Sequence, residues 1–128
     1  EGLSKTEKNA TRGTNTGKIV YTFDNRGVLP TAPLFSFTSG ANYKMISFIH
    51  PSGQYVQYGH ETGDVVIKPN DVVVFDFRKK QLTINGTVQY VNISSSWFEL
   101  NVGQTEIGIL TEPNNNIILD AKFKEAWQ

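Results

Sequence analysis

Hydrophobic and polar residues alternate along much of the chain with a period of two, which is the pattern of β-strands that bury one face. The alternation begins at residues 19–24, where Ile19, Tyr21 and Phe23 would share a face. Asn25-Arg26-Gly27 then provides a turn. No window of ten or more residues has helical periodicity, and only residues 122–127 could form a single helical turn. The pattern therefore predicts an all-β chain.

Strand patterns continue between turn signals to the end of the sequence. The strongest is the run at residues 72–78, which residues 81–84 follow after a basic turn. Asn85-Gly86 comes next, and both residues tolerate the positive φ of a type I′ hairpin turn. The other predicted strands are residues 34–38, 43–50, 55–58, 65–67, 87–92, 106–111 and 117–123. About 9 to 11 short strands with regular turns predict an antiparallel β-sandwich or a jelly roll.

Residues 1–16 lack this pattern, because Leu3 and Ala10 are their only apolar side chains. So polar a segment buries too little surface to offset its ordering entropy. We therefore predict a flexible linker or arm over residues 1–16 and a single β-sandwich domain over residues 17–128. The first residues also lack the apolar core of a signal peptide, and the chain begins as though cut from a longer protein.

Composition and charge exclude several classes of function. The 128 residues include no cysteine, which removes disulfides, thiolate zinc sites, iron–sulfur clusters and cysteine nucleophiles. Twelve Lys and Arg balance twelve Asp and Glu, so no long-range field attracts nucleic acid or anionic lipid. No segment approaches the roughly 18 consecutive apolar residues of a membrane span. We expect neither nucleic acid nor a membrane as a partner.

Catalytic and metal-binding motifs are weak. His50 and His60 are the only histidines, neither lies in a recognisable signature, and no Gly-x-Ser-x-Gly elbow is present. His60, Glu61 and Asp64 share a loop, but their spacing matches no zinc or calcium pattern. Nothing in the sequence fixes two carboxylates at the separation of a glycosidase pair. We expect no enzyme activity, no metal and no cofactor.

Aromatic and amide side chains suggest saccharide binding instead. Sugars stack their C–H faces on aromatic rings and exchange hydrogen bonds with amides, hydroxyls and imidazoles. If Val56 faces the core, Tyr55 and Gln57 point outward together. Trp97 either covers the edge of the core or is exposed, and strand tyrosines more often pack than bind. The candidate contact residues are Tyr43, Tyr55, Gln57, His60 and Trp97.

Three segments in order resemble the C-terminal galectin-like domain of the distal tail proteins of siphophages that infect Gram-positive bacteria. Residues 25–37 are similar to that family's turn, Pro-containing link and strand. Residues 70–86 are similar to its hairpin with a basic turn and Asn-Gly, although Asn70 stands where Gly is common. Residues 97–103 are similar to its Phe-Phe-x-Leu-x-Pro-Gly element, with Val102 in place of Pro. The resemblance covers residues 17–128.

The resemblance implies a virion protein of the phage tail tip, made in the host's bacterial cytoplasm. Its parent would assemble as an oligomeric ring through an N-terminal domain that this sequence lacks, in contact with other tail and baseplate proteins. Some relatives carry such modules as carbohydrate-binding domains for host adsorption. The sugar-binding His-Asn-Arg and Trp-Glu residues of animal galectins have no counterpart here, so the resemblance implies architecture without galactoside specificity.

Two hypotheses follow from the residues and the resemblance together. In the first, the domain is a non-enzymatic carbohydrate-binding module that contacts bacterial cell-wall polysaccharide. In the second, it is a purely structural domain that docks other baseplate or tail proteins and binds no sugar.

Overall fold

The computed structural model describes the backbone of residues 2–8, 11–15 and 18–127 and the side chains of residues 19–126. These residues form eleven β-strands and no helix. The strands are β1 (Gly2–Lys8), β2 (Thr11–Asn15), β3 (Lys18–Asn25), β4 (Leu34–Thr38), β5 (Met45–Ile49), β6 (Tyr55–Gly59), β7 (Val72–Asp76), β8 (Gln81–Ile84), β9 (Thr87–Gln89), β10 (Gly103–Glu112) and β11 (Asp120–Trp127).

The strands build two sheets. One sheet has six strands in the order β1-β11-β4-β7-β8-β9, and the other has five in the order β2-β3-β10-β5-β6. Neighbouring strands pair antiparallel throughout both sheets. The two inner faces pack together as a sandwich. The predicted all-β fold, an antiparallel β-sandwich of jelly-roll, galectin-like type, is confirmed.

Phenylalanine rings join the sheets at the centre of the core. Phe48 of β5 lies 5.1 Å from Phe35 of β4 and 4.8 Å from Phe75 of β7, measured between ring centroids. Phe48 belongs to the five-stranded sheet and the other two belong to the six-stranded sheet. All three rings are completely buried. The alternation seen in the sequence therefore directs one aromatic face of each sheet into a shared core.

The two ends of the chain differ from the sequence predictions. Residues 1–16, which we expected to be an arm, include β1 and β2; β1 pairs with β11 and β2 with β3. Edge strands are held by backbone hydrogen bonds, which a polar segment supplies without a large apolar face. Residues 122–127 extend β11 and form no helical turn, because Ala121, Phe123 and Glu125 alternate inward. The boundary at residue 17 stays a prediction.

The segment of residues 92–96 covers the outer edge of β6. The Asn92 and Ser96 amides donate to the carbonyls of Gln57 and Tyr55, each at 2.8 Å. The Gln57 amide in turn donates to the Ser95 hydroxyl at 2.9 Å. The Asn92 side chain also donates to the Gly59 carbonyl at 2.9 Å. This loop therefore occupies backbone groups that a free edge strand would leave unpaired.

Asp71 fixes the start of β7 and the β8–β9 hairpin that follows. Its carboxylate accepts hydrogen bonds from the Lys68 amide at 2.8 Å and from the Asn85 side chain at 2.9 Å. These two bonds stabilise the ionised form and lower the pKa of Asp71. Asn85 also accepts from the Val72 amide at 2.9 Å, so the hairpin turn is tied directly to β7.

Within the described residues, no helix is long and apolar enough to cross a membrane.

Candidate functional site

Tyr43 is part of the core, which corrects its assignment as a sugar-contacting residue. Its side chain is only 2% exposed. The Tyr43 amide donates to the Ile67 carbonyl at 2.8 Å, and the two residues form an isolated bridge. Burial raises the pKa of its phenol, an effect that a hydrogen bond with Asn115 opposes. A ring enclosed in this way presents no face to a ligand.

Tyr55 and Gln57 lie side by side on the outer face of the five-stranded sheet, as the alternation predicted. Val56 between them is completely buried, so it faces the core. Both flanking side chains are half-buried. The Gln57 side-chain amide donates to the Gly59 carbonyl at 3.1 Å, so its donor is engaged within its own strand.

His60 is exposed in the turn after β6. The length of β6 separates it from Tyr55, a distance of about 16 Å at the rise of an extended strand. The structure therefore does not bring these two candidates together, and the role of His60 in binding stays a prediction.

Trp97 has one side on the core and the other on an open cleft. Its ring centroid lies 5.0 Å from that of Phe77 in an edge-to-face arrangement and 6.4 Å from that of Phe75. The residue is half-buried, and its remaining surface lines a cleft beside the β8–β9 hairpin. The sequence left open whether Trp97 covers the edge of the core or is exposed. The side chain does both, with one side on Phe77 and the other on the cleft.

This cleft, which we name the Trp97 cleft, brings together apolar, aromatic, amide and cationic side chains. Leu82, Val88 and Val91 contribute its apolar lining. Its aromatic, amide and cationic residues are Lys79, Lys80, Gln81, Gln89, Tyr90 and Trp97. Its volume of about 610 Å³ lies within the range of about 300–1,000 Å³ typical of ligand pockets.

Tyr90 lines the cleft and was not among the candidates drawn from the sequence. Its side chain is 86% exposed, the highest exposure of any tyrosine in the described chain. It directly follows β9, so it no longer takes part in the strand pairing that buries alternate side chains. The signal available in the sequence was its position at the end of a hairpin strand, before the polar stretch of residues 92–96.

Local hydrogen bonds hold the walls of the cleft. The Asp76 carboxylate accepts from the amides of Arg78 and Lys79, each at 3.1 Å, and so fixes the β7–β8 turn. The Tyr58 hydroxyl donates to the side-chain oxygen of Gln89 at 3.4 Å. Burial raises the pKa of Tyr58 above its ordinary value.

The geometry suits binding by stacking and hydrogen bonds. Among the described residues, no group of three histidine or acidic side chains is placed to hold a metal ion. Trp97 and Tyr90 offer ring surface, and Gln81 and Gln89 offer amide donors and acceptors. Groups of these kinds are the ones that contact polyhydroxylated ligands in proteins.

A second concavity lies on the outer face of the six-stranded sheet. This Leu29 groove has a volume of about 300 Å³ and an apolar floor that includes Leu29, Pro30, Ala32 and Leu34. Its charged lining residues are Asp76, Arg78, Glu99, Lys122 and Lys124. Leu29 is 57% exposed, and Val28 beside it is exposed as well.

Hydrogen bonds shape the loop that carries Leu29. The Asn25 side chain donates to the Leu29 carbonyl at 2.9 Å and accepts from the Gly27 amide at 3.0 Å. The Arg26 amide donates to the buried Glu125 carboxylate at 2.7 Å. A Cβ at Gly27 would lie 2.6 Å from the Ala126 nitrogen, so glycine permits this close approach to β11.

Comparison with known proteins gives one family and one similar solved structure. Residues 26–127 match the family described as "Siphovirus-type tail component, C-terminal domain". The fold resembles that reported as "Crystal Structure of SPP1 Dit (gp 19.1) Protein, a Paradigm of Hub Adsorption Apparatus in Gram-positive Infecting Phages", with a TM-score of 0.62 at 11% identity. No curated protein matches the chain.

The structural match covers 97% of this chain and 46% of SPP1 Dit, so the chain spans about half the length of that protein. At 11% identity the likeness shows a shared fold. The family match extends over residues 26–127, which is most of the chain. The chain therefore belongs to the siphovirus-type tail component family, as a C-terminal domain of a phage tail protein.

Proposed function

We propose that this tail domain is a non-enzymatic carbohydrate-binding module that adheres to bacterial cell-wall polysaccharide through the Trp97 cleft. The observation that carries the proposal is the pairing of highly exposed Tyr90 with core-anchored Trp97 beside two glutamine amides. Large rings with few rotatable bonds lose little conformational freedom on binding. A ring held by Phe77 is already in place before a ligand arrives.

In the virion, we propose that this contact contributes to host adsorption at the tail tip. The parent protein would present several copies of the domain in a ring, so weak individual contacts would add through multivalency. Assembly of the parent protein into a ring, binding to the polysaccharide and synthesis in the host cytoplasm are all parts of this proposal. Of the residues expected from the sequence to bind sugar, Trp97 lines the cleft. Tyr55, Gln57 and His60 lie outside it, and their roles in binding stay predictions.

Replacement of Tyr90 by alanine tests the cleft. We expect Tyr90→Ala to weaken retention on Gram-positive cell-wall polysaccharide at least ~10-fold, since one stacking surface is lost. Its free energy of unfolding should change by no more than about 0.5 kcal/mol, because the side chain is exposed. Titration of a fluorescent fusion against purified wall polysaccharides from several Gram-positive species measures the binding.

Ile118→Ala is the matched control, because Ile118 is also highly exposed but lies outside the cleft. It should bind as the unaltered chain does. Loss of binding in Tyr55→Ala with none in Tyr90→Ala would move the site to the outer face of the five-stranded sheet. Absence of binding by the unaltered chain to every polysaccharide would refute the proposed function.

The second candidate is a structural domain that docks other tail or baseplate proteins without binding sugar. The Leu29 groove favours it, since an apolar floor bordered by charges of both signs is typical of protein interfaces. We expect Leu29→Asp to abolish co-elution with the phage's other tail proteins after co-expression, because it places a carboxylate on the groove's apolar floor. Val72→Asp, at an exposed valine outside the groove, should leave co-elution intact.

A further inference from the structure

We infer that the ligand of the Trp97 cleft is an anionic saccharide, a polymer with phosphate or carboxylate groups along its chain, and that Lys79 and Lys80 pair with those groups. The inference rests on the proposed function, because it names the ligand class of the same cleft. The observation that carries it is that the lining of the cleft has basic residues and no acidic ones, although the formal net charge of the whole chain is +0.

Lys79 and Lys80 give the cleft its positive charge. Both are exposed in the β7–β8 turn and line the cleft. None of the residues lining the cleft is acidic. The Leu29 groove differs, since Asp76 and Glu99 accompany its basic residues. The charge of the Trp97 cleft is therefore of one sign, and it complements an anion.

The two ammonium groups are available to a ligand. Within the described part of the chain, neither lysine forms an ion pair. The nearby Asp76 carboxylate is engaged in hydrogen bonds with the Arg78 and Lys79 amides. Lys80 has a φ of 55°, in the left-handed region, and the chain reverses direction there between β7 and β8. The turn thus holds two adjacent lysines at the cleft, and within the described residues neither is held in an ion pair.

The neighbouring groups distinguish a saccharide from a simple anion. Gln81 and Gln89 supply amides for hydroxyl groups, and Trp97 and Tyr90 supply ring surface for C–H faces. A free phosphate ion would use the lysines alone. Single-stranded nucleic acid also combines stacking with phosphate, but it is bound by a positive groove that follows many phosphates. Two lysines on a neutral chain favour the anionic saccharide.

The test compares four polymers of different charge and chemistry. These are a mannan that carries phosphodiester groups, polygalacturonate, neutral dextran and an oligo(dT) strand. Calorimetric titration of the 128-residue chain at low and high salt measures each affinity. We expect at least one of the two anionic saccharide-type polymers to bind more tightly than dextran and oligo(dT), with an affinity that falls as salt rises. The first two polymers also distinguish a phosphate from a carboxylate ligand.

The double variant Lys79→Gln/Lys80→Gln assigns the charge partners. It should weaken binding of the anionic polymer at least ~10-fold at low salt. Lys44→Gln/Lys68→Gln is the matched control, since it removes the same charge from exposed lysines outside the cleft. The control should change the affinity less than about 2-fold. Glutamine is polar and only slightly shorter than lysine, and all four lysines are exposed, so circular dichroism should show an unchanged fold.

The possible failures are distinguishable. Equal losses in the two double variants, or no loss in either, would overturn the role of Lys79 and Lys80. Dextran binding that Tyr90→Ala abolishes and Lys79→Gln/Lys80→Gln leaves intact would keep the proposed function and overturn an anionic ligand. Tightest binding to oligo(dT) would replace the saccharide with nucleic acid. No binding to any polymer, or to cell-wall polysaccharide, would refute both proposals.

Discussion

Gly59→Ala should lower the free energy of unfolding by about 2–5 kcal/mol, through backbone strain and a steric clash. Gly59 has a φ of 83°, a conformation that disfavours any residue with a Cβ. A Cβ at this position would also overlap the Lys44 carbonyl oxygen, so the backbone would have to move. The Gly59 carbonyl accepts bonds from the Gln57 and Asn92 side chains, and movement would strain those contacts too.

Gly53→Ala isolates the two causes. Gly53 has a similar φ of 96°, but no atom lies within 4 Å of the position that a Cβ would take there. It should therefore lose only the backbone contribution, about 1–2 kcal/mol. Urea denaturation of both variants, with comparison of midpoints at equal slopes, measures the difference. Equal losses of unfolding free energy in the two variants would mean that the clash with the Lys44 carbonyl contributes nothing to the destabilisation by Gly59→Ala.

Phe48→Ala should lower the free energy of unfolding by about 3–5 kcal/mol, the usual cost of deleting a buried ring. The ring is completely buried and connects the five-stranded sheet to Phe35, Phe75 and Phe77 of the opposite half. Its removal leaves a cavity where the two sheets meet, and the surrounding rings can collapse into it only in part. Thermal unfolding followed by circular dichroism should show the loss.

Tyr90→Ala is the control for Phe48→Ala, because it removes an aromatic ring of similar size from the surface. Its transition should lie close to that of the unaltered chain, within about 0.5 kcal/mol. A small loss in Phe48→Ala would show that the core adjusts freely around the missing ring. The paired measurement also connects stability with binding, since Tyr90 is the residue that we expect to affect affinity alone.

The central hairpin was predictable from the sequence because its determinants are local. Alternation of apolar and polar residues predicted β7 and β8. The Asn85-Gly86 dipeptide predicted the turn between β8 and β9, and the positive φ values of these two residues, 52° and 81°, agree with that turn. Pairs of adjacent strands need only neighbouring residues to define them. The same local information predicted that Tyr55 and Gln57 face outward on β6.

Tyr43 could not be placed from the sequence because its burial depends on distant residues. Its backbone pairs with Ile67, and its hydroxyl meets Asn115 from the connection between β10 and β11. A pattern of alternation contains no information about such partners. Strands β1 and β2 were missed for a related reason, since their composition is polar and their pairing is with β11 and β3.

The Trp97 cleft was predictable only in part. The sequence singled out Trp97 and left its exposure open. Its position beside Tyr90 and Lys80 depends on how residues 92–97 run from the end of β9 along the outer edge of β6. Tyr90 itself resembles a strand residue in sequence, and only the end of β9 at Gln89 explains its exposure.

The loop of residues 92–96 also determines how this domain can meet its neighbours in a particle. An exposed edge strand can pair with the edge strand of another molecule through backbone hydrogen bonds, whatever the two sequences are. Identical copies held close together would be prone to such pairing. Because loop groups already occupy the Tyr55 and Gln57 carbonyls of β6, another strand cannot add there in register. A partner at this edge therefore meets the loop of residues 92–96 in place of β6, and the loop's side chains can discriminate one partner from another.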